Sequence, residues 1–255
     1  MPESEPLSRR ILGMRVDKTS YQDAAERVLA WAHDRQSRYV CVATVNNVME
    51  AYDSGEFGRI MNQADLVTPD GMPLVWGLRM LGAREATRVY GPDLTPVVLG
   101  AAERAGVPVG FYGGSAGALR KLVAVVQHRF PALQVSYAQA PPFRPLSEAE
   151  DERIVREIRG SMARILFVGL STPKQERWMA AHRGRIPAVM LGVGAAFDFL
   201  AGAKRQAPLW MQAHGLEWLF RLACEPRRLG RRYLKHNPRF AALFALQLLE
   251  QRFAA

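Results

Sequence analysis

Cysteine is nearly absent from this chain: Cys41 and Cys224 are the only two in 255 residues. Two cysteines so far apart provide neither a disulfide framework nor a zinc-binding set, and their scarcity suits a reducing compartment. Long apolar runs are missing too, since none approaches the roughly 18 residues that a membrane-spanning helix needs. The opening residues, Met1 to Arg10, are polar and lack the apolar stretch of a signal peptide. A chain that is soluble, or at most rests on a membrane surface, is expected. The histidines (His33, His128, His182, His214 and His236) form no H-x-x-x-H pair and read as surface or internally satisfied residues. G-x-x-x-x-G-K-[ST] does not occur, which argues against P-loop ATP or GTP chemistry. Acidic residues are scarce: 24 Asp and Glu stand against 34 Lys and Arg, a formal net charge of +10.

What is present is enough apolar sequence, 49%, to bury a full core as one large domain or a domain with an appendage. Tyr21 to His33 carries apolar residues at helical spacing. Tyr39 to Thr44 is an apolar β-branched run of the kind buried on both faces of a sheet. Strands are expected at Ile11–Val16 and Leu66–Thr68, with helices at Phe57–Ala64, Met72–Leu81 and Pro92–Ala105. From there the alternation is regular. Strands at Val107–Tyr112, Leu133–Tyr137, Arg164–Val168 and Ala188–Leu191 are interleaved with helices at Ser115–Arg129, Ser147–Arg159 and Pro173–His182. Ser147 and Glu150 form the capping box of the second of these helices. This alternation predicts an α/β fold: a Rossmann-like, mainly parallel sheet with helices on both faces. Beyond Pro208 the pattern is helical only. The expected division is an α/β domain over residues 1–207 and a basic C-terminal helical appendage over residues 208–255.

Open α/β sheets bind ligands outside the carboxyl ends of their strands, so residues at those ends are the candidates. They are Thr44-Val45-Asn46-Asn47, Pro69-Asp70-Gly71, Gly113-Gly114-Ser115, the stretch from Gly169 to Gln175, and Gly192-Val193-Gly194. Gly113 and Gly114 follow a strand and open a helix, where main-chain N–H groups and the helix dipole favour phosphate. The same turn equally serves tight packing alone. It does not match G-x-G-x-x-G, and no acidic residue ends the next strand, which argues against a nicotinamide dinucleotide. Asp70 is a carboxylate at a strand end, able to act as a general base. Pro-Asp-Gly is also a common turn that Asp caps, and local sequence favours the turn. Thr172, Pro173 and Gln175 read as a capping box. Lys174 then lies in a first turn whose dipole disfavours a cation, unless an anion binds nearby. Asp198 reads as a buried cap or as a ligand contact.

Lys204 to Arg239 holds nine basic residues against Glu217 and Glu225, a net +7. Trp210, Trp218, Phe220, Tyr233 and Phe240 are interleaved with these charges. Such a segment fits a nucleic-acid-binding protein, although that reading leaves the polar strand ends without a task. The following run, Ala241 to Leu249, is too short to span a bilayer. Packing on the core or a neighbouring subunit would account for it. Beside a basic segment it also suits a membrane interface, and the interface reading leads.

Taken together, these stretches resemble the WecG/TagA/CpsF family of bacterial glycosyltransferases. The matching motifs are Thr44-Val45-Asn46, Pro69-Asp70-Gly71, Arg88 with Gly91 to Leu94, Pro173 to Trp178, Gly192 to Asp198, Ala207-Pro208, and Gly215 to Arg221 with Glu225-Pro226. The resemblance spans residues 10 to 240 in order. It implies inverting transfer of a sugar from a UDP-sugar to a polyprenyl-diphosphate-linked saccharide, with no cofactor and no required metal. N-acetylmannosamine, its uronic acid and glucose are all compatible. The implied location is the inner face of the plasma membrane, held peripherally on anionic lipid, with no nucleic-acid partner. A homo-oligomer is compatible. Asp70 is then similar to the base that deprotonates the acceptor. Thr44, Asn46, Arg88, Gly113, Gly114, Gln175, Gly192, Gly194 and Asp198 would contact the substrates, and Arg221, Arg228 and Arg231 the leaving diphosphate. No Asp-x-Asp occurs, so cationic side chains would stabilise that leaving group, a task for which the guanidinium fork is well shaped. Lys204, Arg205, Arg227, Arg232, Lys235 and Arg239 are left as surface charge facing lipid.

Overall fold

The computed structural model describes residues 6–254, except the side chains of Leu209, Ala213, Arg228 and Ala254. The chain opens with β1 (Ser8–Ile11) and β2 (Met14–Asp17), an antiparallel pair. The strand expected over Ile11–Val16 is therefore a hairpin. Leu12 and Gly13 both take positive φ, 49° and 84°, in the two-residue turn whose twist matches paired strands.

The α/β part follows as α1 (Tyr21–His33), β3 (Arg38–Ala43), α2 (Val45–Asp53), α3 (Gly55–Asn62), β4 (Leu66–Pro69), α4 (Met72–Met80) and α5 (Gly91–Arg104). It continues as β5 (Val109–Gly113), α6 (Ala116–Arg129), β6 (Val135–Gln139), α7 (Glu148–Gly160), β7 (Ile165–Gly169), α8 (Lys174–His182), β8 (Val189–Gly192) and α9 (Ala196–Leu200). Six strands form one parallel sheet in the order β4-β3-β8-β7-β5-β6. Side chains of a strand alternate between faces, and here both faces are covered. Tyr39, Cys41, Leu166, Val168 and Met190 enter one core, shared with α2, α3, α4, α7 and α8. Val40, Val42, Ile165, Phe167, Val189 and Leu191 enter the other, shared with α1, α5, α6 and α9. A near-continuous apolar strand sequence is the consequence of burial on both sides.

The C-terminal part is α10 (Leu209–Ala213), α11 (Glu217–Cys224) and the long α12 (Pro226–Ala254). Its far half is fastened to the core. Phe240 and Phe244 are buried and stacked, with ring centroids 5.8 Å apart. Gly77 of α4 makes room for them, since a Cβ there would lie 3.3 Å from the Phe244 ring. Gln247 accepts from the Leu12 N–H and donates to the Arg10 carbonyl, both at 2.8 Å. The Ala241–Leu249 run thus packs one face on the core and leaves Leu246 and Leu249 exposed. Among the described residues no helix is long and apolar enough to cross a membrane.

Candidate active site

Asp70 follows the last residue of β4, and its N–H still donates to the Ala43 carbonyl of β3 at 2.9 Å. That bond aims the side chain beyond the sheet's carboxyl edge, where it keeps only 16% exposure. Arg88 approaches from the loop before α5. Its Nε donates to the Asp70 carbonyl, and its Nη2 lies 3.4 Å from Asp70 Oδ1. Burial raises the Asp70 pKa from 3.8 to about 6. Arg88 and Arg221 pull against that rise, Glu217 adds to it, and a hydrogen bond from the Gly91 N–H opposes it. A carboxylate with this pKa is ionised at neutral pH yet basic enough to share a proton in a transition state.

Next to it, the end of β3 turns into α2. Asn47 Oδ1 accepts from both the N–H and the hydroxyl of Thr44, each at 3.0 Å. That bond closes the first turn and leaves Asn46 on the open side, lining the cleft. The other end of Asn47 donates to Glu176 Oε1 at 2.9 Å. Glu176 is fully buried and also receives Thr172 Oγ1 at 2.8 Å and Gln175 Nε2 at 3.0 Å. Gln175 Oε1 then accepts the Gly194 N–H at 3.1 Å. The capping box expected at Thr172 and Gln175 is therefore not formed. Pro173 is the N-cap, and both side chains turn inward to Glu176 instead. Burial pushes the Glu176 pKa up, against the pull of its three donors. Gly192 is required for clearance, since a Cβ there would fall 2.6 Å from Met179 and 3.2 Å from Gln175 Nε2.

The appendage completes the cleft from the other side. Arg221 and Arg232 line it beside Asp70, Asn46 and Thr44, and the Arg221 guanidinium sits 5.7 Å from the Phe199 ring centre. Of the other two arginines expected there, Arg231 is exposed and the Arg228 side chain lies outside the described residues. Arg232, expected at the surface, thus stands where Arg231 was expected. Lys204 is not free surface charge: it pairs with Asp198 at 2.8 Å and with Glu225 at 3.3 Å. Arg239 pairs with Asp53 at 2.6 Å. His236 is neither exposed nor satisfied. It is buried in the cleft wall, its Nδ1 has no hydrogen-bond partner, and burial lowers its pKa. His182, by contrast, is held between the Trp178 carbonyl and Asp151.

The cleft continues along the strand ends past Ser171, Gly194 and Ala195 into a second cavity of about 460 Å³. Gly114, Ser115, Lys174 and Asp198 line that end. Gly113 does not. With φ of +129°, it lies against Gly169, whose carbonyl would be 2.5 Å from any Cβ added there, so its role is close packing of two strand ends. Among the polar residues of the site, Glu176, Glu217, Arg232 and His236 were not singled out as site residues by sequence. Glu176 and Glu217 do lie within the motifs of the resemblance, which was the one available signal.

The sequence matches the WecG/TagA/CpsF glycosyl transferase family over residues 9–254. Similar proteins include N-acetylglucosaminyldiphosphoundecaprenol N-acetyl-β-D-mannosaminyltransferases of Staphylococcus aureus, strains NCTC 8325 / PS 47 and MRSA252. Each is 28% identical over 233 residues, covering 90% of this chain and 89% of theirs. A match from the first strand through the last helix takes in the whole cleft, appendage included. The chain belongs to the WecG/TagA/CpsF family, and it is a glycosyltransferase.

Proposed function

We propose that the protein transfers an N-acetylhexosamine, N-acetylmannosamine first among candidates, from a UDP-sugar to a polyprenyl-diphosphate-linked N-acetylglucosamine in cell-envelope synthesis. The observation that carries this reading is Asp70, a mostly buried carboxylate of pKa about 6 facing a cleft that two arginines also line. Asp70 would take the proton of the acceptor hydroxyl as that oxygen attacks the anomeric carbon. The bond to the diphosphate breaks on the opposite face, which inverts the centre. Negative charge grows on the leaving diphosphate, and Arg221 and Arg232 would stabilise it through charge-assisted hydrogen bonds. The second cavity, at about 460 Å³, falls in the roughly 300–1,000 Å³ range of small-molecule sites. It would hold the uridine part of the nucleotide, with Lys174 and the Gly114 turn in its wall. Gln175 and Gly194 lie between the two ends, where the transferred sugar would sit. The sugar and acceptor named here follow the S. aureus relatives' activity.

A membrane-bound acceptor requires a surface that meets lipid. Trp210, Trp218, Leu219 and Leu234 are exposed on the appendage, as are Arg227, Arg231 and Lys235. Trp218 lines the cleft. This mixed apolar and basic surface suits peripheral docking on anionic lipid. The direct test is a panel of UDP-sugars, scored by thermal stabilisation and by transfer to a short-chain polyprenyl-diphosphate N-acetylglucosamine. Transfer from one UDP-N-acetylhexosamine, and its loss in Asp70→Asn, is the expected result. Transfer from none of them, or wild-type turnover in Asp70→Asn, refutes the reading.

A further inference from the structure

Glu217 opens α11 and is buried, with 8% exposure. Gly215, two residues earlier at φ of +71°, presses against α4. A Cβ there would fall 2.8 Å from the Trp76 ring. The entry of the appendage is thereby seated on the α/β part, and Glu217 is delivered to Arg88. Arg88 Nη2 donates to Glu217 Oε2. Arg88 rests on the Tyr90 ring, 4.1 Å from its centre. One guanidinium therefore serves two carboxylates, one from the sheet edge and one from the appendage. The contact to Glu217 is the closer, and Nη2 stands off from Asp70 Oδ1 at 3.4 Å.

This arrangement decides how Asp70 is held. An arginine facing a lone carboxylate closes on it with two parallel hydrogen bonds, occupying the lone pairs that would accept a proton. With Glu217 present, that fork is turned away. We propose that Glu217 is a positioning residue: it draws Arg88 toward the appendage, so that Asp70 is free to accept the acceptor's proton only while α11 is docked. The inference rests on Asp70 being the base. It makes base strength and closure of the cleft a single event. It also explains why an acidic residue sits within the most basic part of the chain.

The other groups around Asp70 are Arg88 and Tyr90 from its own side, Tyr21 of α1, and Asp93 of α5. Arg221 faces it from α11, and Arg232 and His236 line the same cleft from α12. Only Glu217 among them binds Arg88 from the appendage.

The test titrates Asp70 in full-length protein labelled at its aspartate carboxyl carbons, using Asp70→Asn to assign the NMR signal. Wild type, Glu217→Gln and Glu217→Asp are compared, together with the acid limb of kcat/KM. In Glu217→Gln the Asp70 midpoint and the acid limb both fall, by about one pH unit, the low end of a neighbouring charge's effect. Glu217→Asp, which keeps the charge, stays within a few tenths of a unit of wild type by the same principle. An Asp70 midpoint that does not move in a folded Glu217→Gln protein overturns the inference, whatever the activity. Should Glu217→Gln fail to fold, Glu217→Ala, which removes the same charge without burying an amide, is expected to lower the midpoint in the same direction; no movement there overturns the inference. The NMR titration needs no substrate. Retained turnover in Asp70→Asn would therefore fault the base assignment separately.

Discussion

Replacing Asp70 by Asn is expected to remove activity and add stability, both for one reason. The carboxyl's pKa rises from 3.8 to about 6 on folding, close to two units, which corresponds to roughly 3 kcal/mol against the ionised folded state. The figure is a ceiling, because Asp70 keeps 16% exposure. Its pH course is set by the direction of the shift. Below pH 3.8 the group is protonated in both states and contributes nothing. Between 3.8 and about 6 the unfolded chain releases the proton first, and wild type loses stability progressively. Above that window the deficit is constant. Asn carries no charge to desolvate, and Arg88 keeps Glu217 as its partner. Asp70→Asn should therefore melt with wild type near pH 4 and up to roughly 6–12 °C higher at pH 7.5. Transfer should fall by about 10²–10⁴, the usual contribution of a general base. Differential scanning fluorimetry across pH 4 to 8, with transfer measured on the same samples, provides both readings. A melting gain that does not depend on pH, or equal melting at pH 7.5, would refute the burial argument even if activity were lost.

Other outcomes follow from single contacts. Glu176→Ala leaves the Asn47 and Gln175 amides without their buried acceptor, at about 1–3 kcal/mol each, and urea unfolding should record the loss. Glu176→Gln keeps the acceptor and removes the charge. Since burial raises the Glu176 pKa, wild type loses stability as pH climbs above the unfolded value of 4.5, and the Gln variant should gain on it between pH 5 and 8. Phe244→Ala opens a cavity between α12, α4 and the β1–β2 hairpin and should destabilise by about 3–5 kcal/mol, read by circular dichroism. Changing Arg227, Arg231 and Lys235 together to Gln should weaken flotation with anionic vesicles by up to about 1 kcal/mol per charge. Unchanged flotation of that variant at low salt would place the lipid contact elsewhere.

Much of the sheet was legible in sequence, because a strand buried on both faces must be apolar throughout. Tyr39 to Thr44 and Arg164 to Val168 admit little else. The α7 capping box was legible because Ser147 and Glu150 satisfy each other locally, with Glu150 Oε2 accepting from the Ser147 N–H at 2.9 Å. The similar reading at Thr172 and Gln175 failed, since a buried carboxylate one residue later outcompeted the helix terminus for both side chains. The hairpin at Leu12 and Gly13 was missed because its strands are four residues each, and Ile11-Leu12-Gly13-Met14 across the turn reads as one continuous strand.

The sequence by itself determined which residues stand at the strand ends, since chain order and the alternation of elements place Thr44, Asp70, Gln175 and Gly194 there. Only the tertiary structure decided which charges meet. Arg231 and Arg232 are adjacent and chemically identical, yet the turn of α12 sends Arg231 to solvent and Arg232 into the cleft. The bond between Glu217 and Arg88 joins residues 129 positions apart, a distance over which no local pattern carries information. The basicity of Asp70 is likewise a property of burial, and Glu217, which adds to it, comes from the appendage.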